Sequence, residues 1–413
     1  MNWPAPPGEG PLGDGKFAHA VERPESSDDL CQVVRDRVAE GYAIYPQGGC
    51  TALDHGGVPK RPGVAVDTRA LCRVVDYPAA DMTVTVEAGI TLAGLQSVLS
   101  LENQRVLIEA PSPEVATLGG IYATNTSGPR RFGAGRPRDQ IIGVSFVTSD
   151  GALVKGGGRV VKNVAGYALP KFLTGSMGTL GVIVQLTLKV RPKPEASALV
   201  WTVFDSTQGA AFFLDGLNAS ETRPMAVELL NAQAASALTG EVGLPNGPWV
   251  VVVGVEGSES SVAWQVDRLR KSGSEVVEVE RVEALWASLA GFQAHAAGPV
   301  TILANVRPSS VAGFAAALDP GVWSVQAHAG NGIVRAHAIG ALGLDELVRP
   351  VDEARARAVF DGGNLVLTRC PTAWKARLKV WGEPRPDWAL CERLKHALDP
   401  AGAMNPGRFV GRI

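Results

Sequence analysis

The sequence is short of cysteine pairs, histidine, long apolar runs and charge of one sign, and each shortage argues against something. Five cysteines, Cys31, Cys50, Cys72, Cys370 and Cys391, are scattered through 413 residues without a Cys-x-x-Cys pair, which argues against a disulfide framework and against an iron–sulfur cluster held by this chain. They read as the reduced thiols of a cytosolic protein. The longest apolar runs, such as Trp249–Val255 and Val182–Leu188, are of strand length and far short of a spanning helix. The first residues, Met1 to Gly10, lack the basic-then-apolar order of a secretory signal and read as a disordered arm. Lys+Arg 39 against Asp+Glu 41 leaves a formal net charge of −2. No global basic field exists to hold nucleic acid or acidic membrane, so any anion is bound locally.

At 413 residues the chain exceeds one ordinary core and is expected to form two domains. Glycine is abundant, with 48 residues, and much of it gathers in three stretches. Thr117–Arg138 is almost all backbone and small hydroxyl. Gly119, Gly120, Gly128, Gly133 and Gly135 permit positive φ and close approach, while Thr117, Thr124, Thr126 and Ser127 supply hydroxyls able to reach phosphate oxygens. Such a segment suits an anionic dinucleotide that touches the main chain, and for one stretch taken alone a mobile surface loop is the alternative. Pro46–Gly57 is the second stretch, and Gly156–Tyr167 running on to Gly175–Ile183 is the third.

In this order the three stretches resemble the flavin-binding domain of the vanillyl-alcohol oxidase (PCMH-type) flavoproteins, over residues 24–192. The resemblance implies an α+β fold: a flexible arm at 1–23, a two-part PCMH-type FAD-binding domain at 24–192, and a smaller cap domain at 193–413. The cap is expected to hold an antiparallel sheet with helices, and its C-terminal segment to return to the FAD domain. FAD is the implied cofactor, with the first loop wrapping its pyrophosphate, the central loop lining it and Gly178–Ile183 closing the adenosine end. The residues so implicated are Pro46, Gln47, Gly48, Gly49, Cys50, Thr51, Pro111, Thr117, Leu118, Gly119, Gly120, Thr124, Asn125, Ser127, Gly128, Arg138, Lys162, Asn163, Gly178, Gly181, Val182, Ile183 and Asn405.

Within the first loop, Gln47–Thr51 can aim successive N–H groups at two phosphates as a backbone nest. Gly48 and Gly49 are its centre, and a positive φ at either makes alanine costly there. Cys50 stands where the family commonly has glycine or a histidine attached to the flavin, so the FAD is expected to be non-covalent, a Cys50 thioether being the minor alternative. Lys162 or its neighbouring amides can stabilise negative charge on a reduced flavin, against the plain reading of a solvated lysine at a strand end. Arg130, Arg131, Arg136 and Arg138 place four guanidiniums within nine residues, open to phosphate, substrate carboxylate or a partner protein.

Periodicity supports the α+β reading. From Ser26 or Ser27, with Asp28 and Asp29 in the first turn, apolar Leu30, Val33, Val34 and Val38 predict an amphipathic helix. Ala43–Tyr45, Gly63–Asp67 and Met82–Glu87 read as strands, with a helix around Leu92–Leu99. Ile141–Thr148 and Ala152–Lys155 flank a Ser-Asp-Gly turn, a hairpin signal, and Val182–Val190 closes that half. Arg191–Pro194 marks the boundary. Beyond it, strands such as Ala198–Phe204, Val250–Val255 and Val300–Val306 alternate with helices such as Ser260–Lys271 and Ser309–Leu318, which predicts an antiparallel sheet with helices on one side. Trp374 and Trp381 hint at an interface, though buried core is the commoner fate of tryptophan. Trp388–Leu398 followed by Asp399–Arg408 resembles the helix and Asn-Pro-Gly turn with which the lactate and glycolate dehydrogenase branch returns to its flavin domain.

Oxidising an α-hydroxy acid needs a base for the hydroxyl proton, a cation for the carboxylate and an α-hydrogen aimed at the acceptor. Among six histidines, only His328 in His328–Arg335 sits in an informative pattern. It resembles the His-x-Gly-Asp-Gly-Asn-x-His segment of the substrate and metal site in dehydrogenases of this family. Asn331 replaces the acid and Arg335 the second histidine, so no metal is expected. His328 and Arg335 are the catalytic candidates, with a packed histidine as the bland alternative. The whole pattern most resembles the FAD-binding E subunits of bacterial glycolate oxidase. That implies an FAD-dependent oxidoreductase acting on the CH–OH of glycolate or a similar 2-hydroxy acid. Its partners would be a catalytic D-type flavoprotein subunit and an iron–sulfur F-type subunit, with no nucleic acid and no direct membrane span. The location implied is cytoplasmic, at most peripheral to the inner membrane through partners. An autonomous 2-hydroxy-acid dehydrogenase and a non-catalytic structural flavoprotein subunit are the alternatives.

Overall fold

The computed structural model describes residues 10–158, 168–239, 244–271, 276–278, 281–295 and 297–413. The chain forms two compact units. One comprises Met1–Ser127, Arg136–Lys193 and Glu383–Ile413, and the other Gly128–Gly135 and Pro194–Gly382.

The first unit is organised by two sheets. A three-stranded parallel sheet has the order Val21–Glu22, Gly63–Asp67, Ala43–Gln47. A five-stranded antiparallel sheet has the order Leu153–Gly157, Ile141–Val147, Val182–Lys189, Thr83–Glu87, Val74–Asp76. Helix Ser27–Ala39 starts where the cap signal predicts it: the Ser26 side chain accepts from the Asp29 N–H, and Leu30, Cys31 and Val34 are buried. Those residues share a core with Ile44, Val64 and Val66 of the parallel sheet and with Val147, Val182 and Val184 of the antiparallel one. Alternation along the antiparallel strands sends Val84, Val86, Val144, Phe146, Leu186 and Leu188 into a second core on the other face.

Residues 10–23, expected within a free arm, instead contribute short strands at Pro11–Gly13, Lys16–Phe17 and Val21–Glu22. Leu12 is 1% exposed in a small core with Tyr45 and Ala65, and that burial ties the segment down.

The second unit is built on an eight-stranded antiparallel sheet. Its order is Val276–Glu278, Ala196–Phe204, Trp249–Gly257, Ala226–Asn231, Trp323–His328, Ile333–Ala338, Thr301–Asn305, Asn364–Arg369. Helices cover both faces, not one. Thr207–Asn218, Glu259–Arg270, Val311–Ala316 and Leu344–Phe360 pack on the face of Val200, Val251, Val253 and Val325. Ala232–Thr239 and Val282–Gly291 pack on the face of Leu199, Trp201, Val250 and Val252. The run Val250–Val253 already carries the reason, because a strand apolar at consecutive positions needs cover on both sides. Trp374 and Trp381 pack half-buried against the first of these cores.

Second-face cover is apolar only at one end of the sheet. At the other end the same face carries Glu228, Ser324, Gln326, His328, Arg335, His337 and Thr301, all buried.

Candidate functional site

In the first unit one pocket, with an empty volume of about 910 Å³, gathers residues from all three described glycine stretches. Pro46, Gln47, Gly48, Gly49, Cys50 and Thr51 line it, together with Thr117, Gly119, Gly120, Thr124, Gly178, Gly181, Val182, Ile183 and Asn405. The reason for glycine in the first loop is space and not φ. Neither Gly48 nor Gly49 has positive φ; the left-handed position falls one residue later, at Cys50 with φ +58°. A Cβ on Gly48 would lie 2.0 Å from Thr117 Oγ1, and one on Gly49 would lie 1.9 Å from the Val115 carbonyl oxygen. The loop is thus pressed against the segment that leads into helix Leu118–Thr124. Thr117 caps that helix, its hydroxyl accepting from the Gly120 N–H at 3.4 Å. In the third stretch Gly178 has φ +70°, and its Cβ would meet Pro46 at 3.3 Å.

The C-terminal segment completes the pocket. Ile44 N–H donates to the Ala403 carbonyl and the Asn405 N–H to the Ile44 carbonyl, both at 2.8 Å, which makes one parallel β-bridge between Met404 and Ile44 of strand Ala43–Gln47. Asn405 (φ +42°) donates from Nδ2 to the Met177 carbonyl at 2.6 Å. Buried Lys395 locks the segment: its Nζ donates to the carbonyls of Thr179 (2.7 Å) and Met404 (2.6 Å) and pairs with Asp399 at 2.6 Å. Asp399 also accepts from the N–H groups of Ala403 and Met404. Burial pushes the Lys395 pKa down, against the pull of Asp399. Arg408, 4% exposed, donates to Asp14 and to the carbonyls of Gly57 and Leu12.

Several expected residues do not reach this pocket. Leu118 is core, Ser127 is buried, and Pro111, Asn125 and Arg138 lie elsewhere on the first unit. Gly128 belongs to the second unit. Lys162 and Asn163 lie outside the described residues. Leu12, Tyr45, Leu53, His55, Thr68, Ala123, Met177 and Arg408 line the pocket without having been singled out. Of these, Arg408 alone had a local signal, as the charged end of Asn-Pro-Gly-Arg. The arginine run also divides. Arg130 pairs with Glu256 at 2.7 Å and lies 3.8 Å over the Trp286 ring, within the second unit. Arg136 pairs with Asp139.

The second unit assembles a polar chain on its sheet. Neighbouring strands register Glu228 opposite His328 and Gln326 opposite Arg335, which puts the four side chains on one face. His328 Nδ1 lies 2.6 Å from Glu228 Oε1, and Arg335 Nη1 lies 2.6 Å from His328 Nε2. A guanidinium only donates, so His328 Nε2 accepts and its Nδ1–H is given to the carboxylate. Gln326 Nε2 donates to the second Glu228 oxygen at 2.7 Å and to the Leu289 carbonyl at 3.1 Å. Burial, reinforced by the nearby Arg131 and resisted by Glu228, lowers the Arg335 pKa to about 10, so it stays charged at neutral pH. Beside it, His337 Nε2–H donates to the Phe292 carbonyl (2.7 Å) and Nδ1 accepts from Thr301 (2.8 Å). Burial pushes the His337 pKa down to about 4. Glu228 escaped the sequence reading although a lone acid inside Ala-Val-Glu-Leu-Leu is itself a signal.

Residues 18–157 match the family model of the FAD binding domain, and residues 382–409 match that of FAD linked oxidases, C-terminal domain. The chain carries a PCMH-type FAD-binding domain, its cofactor is FAD, and it is an FAD-linked oxidoreductase. Glycolate oxidase subunit GlcD of Bacillus subtilis is 25% identical over 424 residues, covering 95% of this chain and 89% of that protein. D-2-hydroxyglutarate dehydrogenase of Xanthomonas citri pv. viticola is 26% identical over 94% of this chain and 89% of its own length. Glycolate oxidase subunit GlcE of Escherichia coli is 37% identical over 174 residues, which is 41% of this chain and 49% of GlcE. A solved alkyldihydroxyacetonephosphate synthase shares the fold, with a TM-score of 0.68 at 18% identity over 94% of this chain and 75% of that one.

Proposed function

We propose that this chain is the flavin subunit of a 2-hydroxy-acid oxidase complex of the glycolate oxidase kind. In it glycolate or a close relative is oxidised, and electrons pass to an iron–sulfur partner. The observation that carries this reading is the engagement of both His328 nitrogens, by Glu228 and by Arg335. A general base needs an open lone pair. The only lone pair of His328 receives an Arg335 proton, so a substrate hydroxyl finds no acceptor there until Arg335 moves. The match to GlcE supports the same role. Five free thiols far apart in sequence leave cluster ligation to a partner.

Bound FAD supplies a two-electron acceptor. Pro46–Thr51, Thr117, Gly119, Gly120, Gly178, Gly181, Val182, Ile183 and Asn405 would hold it, non-covalently, mainly through backbone, with glycines where a Cβ would crowd a neighbour. Arg335 would offer its charge to a carboxylate. No helix of the described residues is long and apolar enough to cross a membrane.

The second reading, an autonomous dehydrogenase, is favoured by relatives that match nearly the whole chain, GlcD and D-2-hydroxyglutarate dehydrogenase. An anaerobic visible spectrum of the FAD-loaded chain, titrated with glycolate and with D-lactate, separates the two. The expected result is a flavin band that persists with the chain alone and bleaches once partner subunits are added. Bleaching of the isolated chain overturns the subunit reading in favour of the autonomous one. A complex that turns over equally after this subunit's flavin is removed makes the chain structural.

A further inference from the structure

We propose that the Arg335 guanidinium occupies the place a divalent metal ion takes in a carboxylate–histidine–metal arrangement, so that this sheet face meets an anionic carboxylate with a built-in cation and takes no metal. A metal-bound histidine almost always donates its other ring N–H to a carboxylate, which fixes the tautomer and turns the remaining lone pair toward the metal. Here the supporting half of such a site is complete. His328 gives Nδ1–H to Glu228, and Glu228 is itself held by Gln326, which is anchored on the Leu289 carbonyl. The lone pair on Nε2 faces Arg335 Nη1 at 2.6 Å.

Strand register makes this arrangement a property of the sheet. Glu228, His328, Gln326 and Arg335 sit on adjacent strands in directly paired rows, and each is at most 7% exposed. The Glu228 carboxylate, joined to Arg335 through His328, favours the buried guanidinium charge, as a low-dielectric site requires. The planar fork of a guanidinium suits a carboxylate ligand. Among the described residues no group of three or more His, Cys, Asp or Glu side chains is gathered to hold a metal.

The anion named here, a 2-hydroxy-acid carboxylate, rests on the function proposed above; the metal half is read without turnover. The FAD-loaded chain is stripped with EDTA, gel-filtered and titrated with Co²⁺ by isothermal titration calorimetry, alongside H328A, R335H and the R335H/H328A double variant. Wild type is expected to take up no more Co²⁺ than H328A. R335H is expected to take one further equivalent, lost in the double variant. Uptake by wild type of an equivalent that H328A lacks overturns the proposal, as does an R335H protein with normal circular dichroism and flavin content that binds no Co²⁺. Should R335H not fold, the wild-type and H328A titrations decide alone.

A second titration uses oxalate, an inert dicarboxylate, with EDTA present. Wild type is expected to bind it, R335K to bind within about tenfold, and R335M to lose at least about tenfold, roughly what one charge-assisted hydrogen bond contributes. Oxalate binding that appears only after a metal is added overturns the proposal. No oxalate binding, with the Co²⁺ results as expected, removes the anion and the 2-hydroxy-acid reading while the guanidinium-for-metal assignment stands.

Discussion

The pocket of the first unit and the polar face of the second solve opposite problems. The pocket is made of backbone, and its first loop depends on side chains being absent: Gly48 and Gly49 lie where any Cβ would strike Thr117 or Val115. The polar face is made of ionised and polar side chains buried in a sheet, and it survives because each member satisfies the next, Gln326 to Glu228, Glu228 to His328, His328 to Arg335. A site of the first kind fails when an atom is added. A site of the second kind fails when a partner is removed.

The largest expected effect tests that contrast on the side-chain site. Glu228→Gln removes the buried carboxylate that holds His328 and favours the Arg335 charge, and taking one charged member out of such a buried network costs about 3–5 kcal/mol. Chemical denaturation of the second unit's transition should show that loss while flavin stays bound. A loss below about 1 kcal/mol would mean that water or rearrangement reaches the cluster, and the contrast would weaken.

Next in size is a pH effect from His337. Its folded pKa is about 4 against an ordinary 6.5. The unfolded chain therefore takes a proton in this window before the folded one does, and stability falls as pH drops from about 6.5 to about 4. Full expression amounts to about 3 kcal/mol. His337→Gln, whatever its stability at pH 7, should flatten the slope of unfolding free energy against pH in that window. An unchanged slope would assign the acid sensitivity to carboxylates elsewhere.

How legible these two sites were in the sequence follows from the same difference. A backbone site leaves its mark as glycine spacing, so the stretches holding Pro46–Thr51, Thr117–Gly120 and Gly178–Ile183 were found together, and each contributes residues to one pocket. The need for glycine at Gly48 and Gly49 was legible but its cause was not: the condition of positive φ is not met at either, and local sequence does not report what a distant segment, here Val115–Thr117, presses against them. The side-chain site was half legible. His328 and Arg335 stand seven residues apart across one turn, but Glu228 lies a hundred residues away and joins them only through strand register. The cover on both faces of the eight-stranded sheet was written in Val250–Val253, whose consecutive apolar residues do not fit a sheet with one wet face.

On the pocket side, Gly49→Ala places a Cβ 1.9 Å from a carbonyl oxygen. Relieving such an overlap shifts backbone at a cost of about 1–3 kcal/mol. The outcome expected is at least about a tenfold loss in flavin affinity, read from the ratio of flavin to protein absorbance after dialysis, with the second unit's stability unchanged. Full yellow colour at wild-type yield would show that the loop yields freely.

The smallest effect is expected at Cys50, the one position in the first loop where a side chain is present and the backbone is left-handed, φ +58°. Glycine relieves that strain, on the order of 1–2 kcal/mol, but gives back about 0.5–1 kcal/mol through the freer unfolded chain. Cys50→Gly should therefore change stability by less than about 1 kcal/mol and leave the flavin content intact. Acid precipitation adds the sharper reading. A non-covalent cofactor leaves a colourless pellet for wild type and variant alike, whereas a yellow wild-type pellet that turns colourless in Cys50→Gly would reveal a thioether. In that case the first loop would hold its ligand through a side chain as well as through bare backbone, and the division between the two sites would no longer be one of kind.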